Sequence, residues 1–310
     1  MTAATPPDQM NARQFGILVL LALMWGMSFL FIEVAVGAVA PIWVVATRTA
    51  TGSVVLYTIV RLRGRRLPRD LATWCHLGVL GLVNNAIPWT AIAFAQQSLP
   101  SGLAALLMAF VPTSTLVLSV LIGAERLSAR RIVSLTTAFA GVAIIVVEDL
   151  TDMSRLTAIL ALIGATLMYA TAAVYAKHFL SGNQRPLVIA TGQVLCTAVM
   201  TIPAGLVFAP LPPAAAWTVP VVGSIMVLGV VSTGLAYLLF YILIEGTGAT
   251  NASMVTYLIP VVAVISGAIV LGERLGLSAI AGGALVVAGI ALSQRTPPAS
   301  AVEQIEYEPR

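Results

Sequence analysis

The chain has 310 residues, of which 9% are charged and 59% apolar, against about 25% charged in an ordinary soluble domain. The apolar residues are gathered in blocks of about 20, the span of a bilayer core, so a water-soluble domain is excluded for want of polar surface. A transmembrane barrel is excluded too, because its strands alternate over about ten residues and these blocks do not, and the net charge of +4 takes on meaning only once it is mapped along the chain.

The first apolar block, 15–34, follows a single cation, Arg13. Ala38-Val39-Ala40 resembles a cleavage site for a secretory leader, but the run Phe15–Ile32 is uncharged over 18 residues. That is longer than the usual leader core of about 7–15, and it reads as a retained helix. The remaining blocks are 41–60, 72–94, 101–122, 131–147, 157–176, 186–209, 217–241, 249–271 and 278–293. Ten short-linked segments of this kind predict an all-α, multi-pass membrane protein with ten transmembrane helices. Residues 1–14 form a short tail, and the polar, Pro-containing 294–310 is expected to be disordered.

The cations orient these segments. With the N-terminus inside, thirteen of the sixteen Arg and Lys residues fall on the inner side, including the cluster "RLRGRRLPR" at 61–69. Arg155 and Arg274 fall outside, and Arg48 lies within a span. This asymmetry predicts both termini in the cytoplasm. The cluster reads as a topology signal; binding of anionic lipid is the competing reading.

Sliding the chain by 148 positions superimposes Pro112 on Pro260, Glu125-Arg126-Leu127 on Glu273-Arg274-Leu275, and Gly141 on Gly289. At slightly smaller offsets "MWGMSFLF" aligns with "MYATAAVY", setting Trp25 over Tyr169, and Arg48 falls on Gln193. The chain therefore reads as two five-helix units, 15–147 and 157–293. Five is odd, so the copies cross the bilayer in opposite senses. Inverted repeats of this kind mark secondary transporters that bind solute near the midplane and work by alternating access. A channel would carry filter or charge rings, and an enzyme a catalytic constellation; neither stands out.

The stretches "LLALMWGMSFLFIEVAV" and "APIWVVATRTATG", with the paired "GERL"-like segments, resemble the EamA-type branch of the drug/metabolite transporter superfamily across 15–293. The resemblance implies ten helices in two inverted repeats, cytoplasmic termini and a central cavity. It also implies carriage of small metabolites, often export of amino acids, across a bacterial inner membrane; the aromatic amino-acid exporters are most similar. Glu33 departs from the pattern, because relatives often carry Lys or Arg near that position. Any substrate role of that position in relatives does not transfer.

Arg48 is the one clear charge inside a span, and intramembrane charge marks function by default. It reads either as a clamp for a substrate carboxylate or as an Arg that braces backbone carbonyls or reaches toward the outer interface. Asn84 and Asn85 precede Pro88 in the turn whose bonding that proline disrupts. They suit the polar ends of a zwitterion, or equally helix–helix adhesion. Trp89 follows, matched in the second unit by Tyr237, which is preceded by Ser232, Thr233 and Gly234. Pro112 and Pro260 free the carbonyls of Met108 and Thr256, and such kinks should face a cavity or another helix. Trp25, Trp89, Tyr169, Tyr237 and Tyr257 are candidates for an amphipathic lining. The substrate-binding set is thus Trp25, Arg48, Asn84, Asn85, Trp89, Met108, Tyr169, Gln193, Thr233, Tyr237 and Tyr257, with hinges at Pro88, Pro112, Pro260 and Gly234.

Glu125-Arg126 and Glu273-Arg274 close apolar runs at membrane ends, each shortly followed by Ser128 or Ser278 as a helix cap. They are expected to bracket successive helices, or to latch the two faces in turn. No mid-span Asp or Glu appears, His76 and His178 fall near the cytoplasmic face, and Cys75 and Cys196 suggest no disulfide framework. The expected partners are a neutral or zwitterionic small-molecule substrate and the lipid bilayer. No cofactor, metal, nucleic acid or enzymatic activity is expected. Function as a monomer and gradient-driven exchange complete the reading, with proton-coupled antiport, export of a nucleoside, sugar or drug-like solute, or a non-transporting membrane scaffold as alternatives.

Overall fold

The computed structural model describes residues 10–124, 127–148, 151–179 and 186–294. These residues are helical, without strands. Ten helices follow in order: α1 (Ala12–Val36), α2 (Pro41–Leu62), α3 (Leu71–Ala95), α4 (Ser101–Leu121), α5 (Ala129–Glu148), α6 (Met153–Phe179), α7 (Pro186–Phe208), α8 (Val219–Gly248), α9 (Val255–Leu271) and α10 (Leu277–Gln294). Eight are long and apolar enough to cross a membrane, while α9 and α10 are shorter apolar helices. The expected ninth segment starts at 249, but Gly248 adopts a φ of 82° and ends α8. One further turn runs to Ala252 before α9 begins, so the loop sits later than hydropathy places it.

Local chemistry explains the ends. Asn11 and Gln14 form a reciprocal capping box at α1, each side chain accepting the other's backbone N–H at 2.9 Å. Pro41 opens α2, where its missing N–H is harmless. Asp70 caps α3 through the Thr73 amide at 2.8 Å, and the Thr73 hydroxyl and amide hold its carboxyl below the usual carboxylate range. Ser128 accepts the Arg131 amide at 3.4 Å at the start of α5. Gly272, at φ 67°, turns the chain out of α9 in the left-handed region that favours glycine.

The packing is cross-wise. α1 lies against α8 and α9, and its counterpart five helices on, α6, lies against α3 and α4. α2 packs on α7 and α8, and α7 in turn on α3. In hydrocarbon there is no water to drive helices together, so close approach of small residues carries the association. A Cβ on Gly229 of α8 would stand 2.9 Å from the Arg48 carbonyl of α2. A Cβ on Gly81 of α3 would stand 2.8 Å from the Gln193 carbonyl of α7. α5 and α10 form a separate pair joined through Gly141, Gly282 and Gly289, with the Ser134 hydroxyl donating to the Gly289 carbonyl at 2.6 Å. The other eight helices enclose the interior.

Candidate functional site

Two helices at the centre depart from α geometry. α3 widens into a π-helical turn at Gly81–Ala86, and α8 does so at Val227–Leu235. Such turns expose backbone groups that a regular helix would bond internally, and they recur at functional sites. In α3 the turn immediately precedes Pro88, whose ring lacks the donor and presses on the carbonyl four residues back, that of Asn84. Each wide turn is crossed by the second helix of the other unit: α2 brings Arg48 to the turn in α8, and α7 brings Gln193 to the turn in α3.

Arg48 is 6% exposed. Its Nε donates to the Thr233 hydroxyl at 2.9 Å, and that hydroxyl donates to the Leu228 carbonyl at 2.8 Å. The guanidinium carbon lies 4.0 Å from the centre of the Trp89 ring, a cation–π contact. Trp89 is fixed in turn by its indole N–H donating to the Tyr169 hydroxyl at 2.8 Å. The two terminal guanidinium nitrogens have no acceptor among the described residues. Among the described residues Arg48 bonds no backbone carbonyl directly and reaches that of Leu228 through the Thr233 hydroxyl.

At the matched crossing, Asn84 Nδ2 reaches Gln193 Oε1 at 3.5 Å, the outer limit of a hydrogen bond. Asn85 is fully buried, donates to Thr197 at 3.3 Å and accepts from the Tyr237 hydroxyl at 3.4 Å. Trp25 donates its indole N–H to the Ser232 carbonyl in the wide turn of α8 at 3.1 Å. Its ring meets Tyr237 edge-on at 6.3 Å and Phe240 at 5.2 Å.

These groups surround a cavity of about 450 Å³, within the range of small-molecule sites. Of the expected substrate set, Trp25, Arg48, Asn84, Trp89, Met108, Tyr169, Gln193 and Tyr237 line it, as do the kink prolines Pro112 and Pro260. Asn85 and Thr233 stand behind the wall and hold its residues in place. Tyr257 turns away and packs with Phe110, Val142 and Val286 beside the α5–α10 pair; Thr256 faces the cavity instead. Pro88 is buried in α3, and Gly234 lies against Val55 of α2.

Several lining residues escaped the sequence reading. Ser28, Phe29 and Ile32 share a face with Trp25, and Ala172, Ala173 and Ala176 share the equivalent face with Tyr169. The spacing i, i+3, i+4, i+7 around each aromatic was the available signal. Phe240 and Tyr241, one turn beyond Tyr237, complete the aromatic wall. The lining is matched between units: Met108, Val111 and Pro112 in α4 correspond, 148 positions on, to Thr256, Ile259 and Pro260 in α9. Among the described residues Arg48 is the single charged one in the lining, and none there is acidic. Among the described residues no three His, Cys, Asp or Glu side chains converge on a metal position.

Glu273 lies elsewhere. From the α9–α10 connection its two carboxylate oxygens accept the Ser101 and Gly102 amides at 2.8 and 3.0 Å, capping α4 of the other unit. Arg274 is exposed beside it. Glu125 and Arg126 lie outside the described residues.

Comparison with known proteins follows the same two-unit division. The profile of the EamA-like transporter family matches residues 14–147 and again 156–294. An uncharacterized transporter of Archaeoglobus fulgidus is 27% identical over 88% of this chain and 96% of its own length. The uncharacterized inner membrane transporter YedA of Escherichia coli K12 is 29% identical, with 84% of each chain covered. A probable terminal-alkyne amino-acid exporter of Streptantibioticus cattleyicolor is 28% identical over 90% of this chain and 92% of its own. A solved crystal structure shares the fold with a TM-score of 0.63 at 19% identity, over 92% of this chain and 97% of that one.

Proposed function

The chain belongs to the EamA-like transporter family, and on that premise we propose that it exports small amphipathic metabolites, with aromatic and other neutral amino acids as its substrates. The observation that carries this reading is the cavity wall: one desolvated guanidinium with free donors, set in aromatic rings, with no acidic neighbour among the described residues. A guanidinium fork matches a carboxylate, and the rings match an apolar or aromatic body. The exporter of terminal-alkyne amino acids among the relatives supports the same solute class.

The mechanism we propose is alternating access. The two units, inverted with respect to one another, rock about the cavity, which opens to one side at a time. The double family match, the matched lining residues and the cross-wise packing support a two-unit machine. The wide turns in α3 and α8, the break in α4 at Ala109–Phe110 before Pro112, and Pro260 in α9 supply places to bend. Both termini lie in the cytoplasm, the protein sits in the inner membrane of a bacterium, and a single copy suffices. Purified protein in liposomes loaded with unlabelled phenylalanine should accumulate labelled phenylalanine by counterflow. Liposomes that take up no more label than protein-free controls, across a panel of neutral amino acids, would defeat the reading.

A further inference from the structure

One acidic residue has no part in the cavity yet lies beside it. Glu33 sits near the end of α1, half-buried, one residue after the lining residue Ile32. Its Oε2 accepts from Gln96 Nε2 at 3.2 Å, and the same Gln96 nitrogen donates to the carbonyl of the lining residue Phe29 at 2.7 Å. Gln96 is 2% exposed, and its Oε1 has no hydrogen-bond partner. The Ser101 hydroxyl, fully buried at the start of α4, lacks a partner as well. Glu273 binds the backbone N–H of that same Ser101, bringing a second carboxylate to this connection. The end of α1, the α3–α4 connection and the α9–α10 connection are thus drawn together around two carboxylates and two unpartnered oxygens.

Two carboxylates brought close together repel unless a cation stands between them or a proton neutralises one. Glu273 has both oxygens engaged by the Ser101 and Gly102 backbone N–H groups at the start of α4. Glu33 has a single donor. A metal or sodium ion would compete for lone pairs already occupied by N–H groups, whereas a proton needs one oxygen only. We propose that Glu33 is a proton-binding gate residue: closure of this face requires its carboxylate to take up a proton. The proton comes from water on that side and leaves when the face reopens. The new O–H is the donor that the buried Gln96 Oε1 lacks, and the Gln96 bond to the Phe29 carbonyl carries the change to the cavity wall. The gating role rests on the transporter reading; the protonation does not.

The test uses the full chain in lipid, with infrared titration and phenylalanine counterflow measured at equal pH on both sides. In the wild type a carboxylic-acid C=O band should grow on acidification and be missing in Glu33→Gln. Counterflow should fall with rising pH, approaching about ten-fold per unit on the alkaline limb for one required proton. Glu33→Gln, uncharged at every pH, should exchange with a flat profile. Identical infrared titrations in the two proteins, an unchanged pH slope in Glu33→Gln, or a rate set by sodium rather than pH would each overturn the proposal. Absence of wild-type counterflow would defeat the transporter reading instead, and the infrared band would still decide whether Glu33 binds the proton.

Discussion

Replacing Arg48 by Gln, the residue at the matched position in the second unit, separates a ligand-binding group from a structural one. The variant loses the bond to Thr233 at 2.9 Å and the contact with Trp89 at 4.0 Å. A hydrogen bond from a charged group is worth about 1.5–3 kcal/mol, and a desolvated cation–π contact about 2 kcal/mol. Against these stands the relief of no longer holding a charge inside the membrane, at least about 2.5–3.5 kcal/mol. The terms nearly cancel, so the thermal midpoint should barely move. Substrate binding has no such offset. A carboxylate deprived of charged donors loses about 1.5–3 kcal/mol, or roughly 10- to 150-fold in affinity. Counterflow of labelled phenylalanine should therefore show a raised KM, while phenylalaninamide, which has no carboxylate, should be carried equally by variant and wild type. An unchanged KM for phenylalanine, or a collapse in thermal stability with both solutes lost together, would show that Arg48 serves the scaffold alone.

Other perturbations test the frame around the site. Glu273→Ala removes the acceptor for two buried amides and should lower stability by about 1–2 kcal/mol, read as a lower unfolding midpoint, with Glu273→Gln losing less. Gly229→Ala sets a methyl against the Arg48 carbonyl and the Thr51 side chain; overpacking of about 1–3 kcal/mol should weaken the α2–α8 crossing and reduce yield of folded protein. Asp70 has a lowered carboxyl pKa, so its contribution is present above the unfolded value and disappears as pH falls through the folded one. The stability difference between wild type and Asp70→Ala should accordingly hold at neutral pH and close below about pH 4; a gap that persists in acid would refute that cap.

The helices were legible because the membrane imposes a length and a polarity that hydropathy reads directly. Short connections and the Pro41 start of α2 sharpened the boundaries, while the left-handed Gly248 moved both the end of α8 and the start of α9 later by more than a turn, and α6 began about a turn earlier than expected. Residues that carry unusual chemistry for a bilayer, such as Arg48, Asn84 and the aligned aromatics, announced themselves singly. Their partners did not. Nothing in the order of residues says that Thr233 orients Arg48 across 185 positions, or that Tyr257 rotates toward α5 and α10 while Thr256 takes its place. Those outcomes depend on the phase of each helix, and the wide turns at Gly81–Ala86 and Val227–Leu235 reset that phase by inserting residues that no periodicity argument anticipates.

On the proposed function, the matched crossings would give the site a direction. In each unit the second helix presents a polar side chain to the wide turn of the other unit's third helix, so the scaffold alone would hold a solute equally well either way round. Arg48 and Gln193 break that equivalence. A guanidinium stacked on Trp89 stands on one side, and a neutral amide held by Asn84 at the edge of bonding distance stands on the other. The difference lies in charge rather than shape. On that proposal a solute with one carboxylate should gain its strongest contact in a single orientation, with its body against Trp25, Tyr237 and Phe240. Moving the charge to the other crossing, with Arg48→Gln and Gln193→Arg combined, should reverse that orientation while keeping the cavity. Affinity for phenylalanine should recover in the double variant relative to Arg48→Gln alone. Recovery below two-fold would mean that Trp89 and Thr233, not the charge by itself, make the clamp.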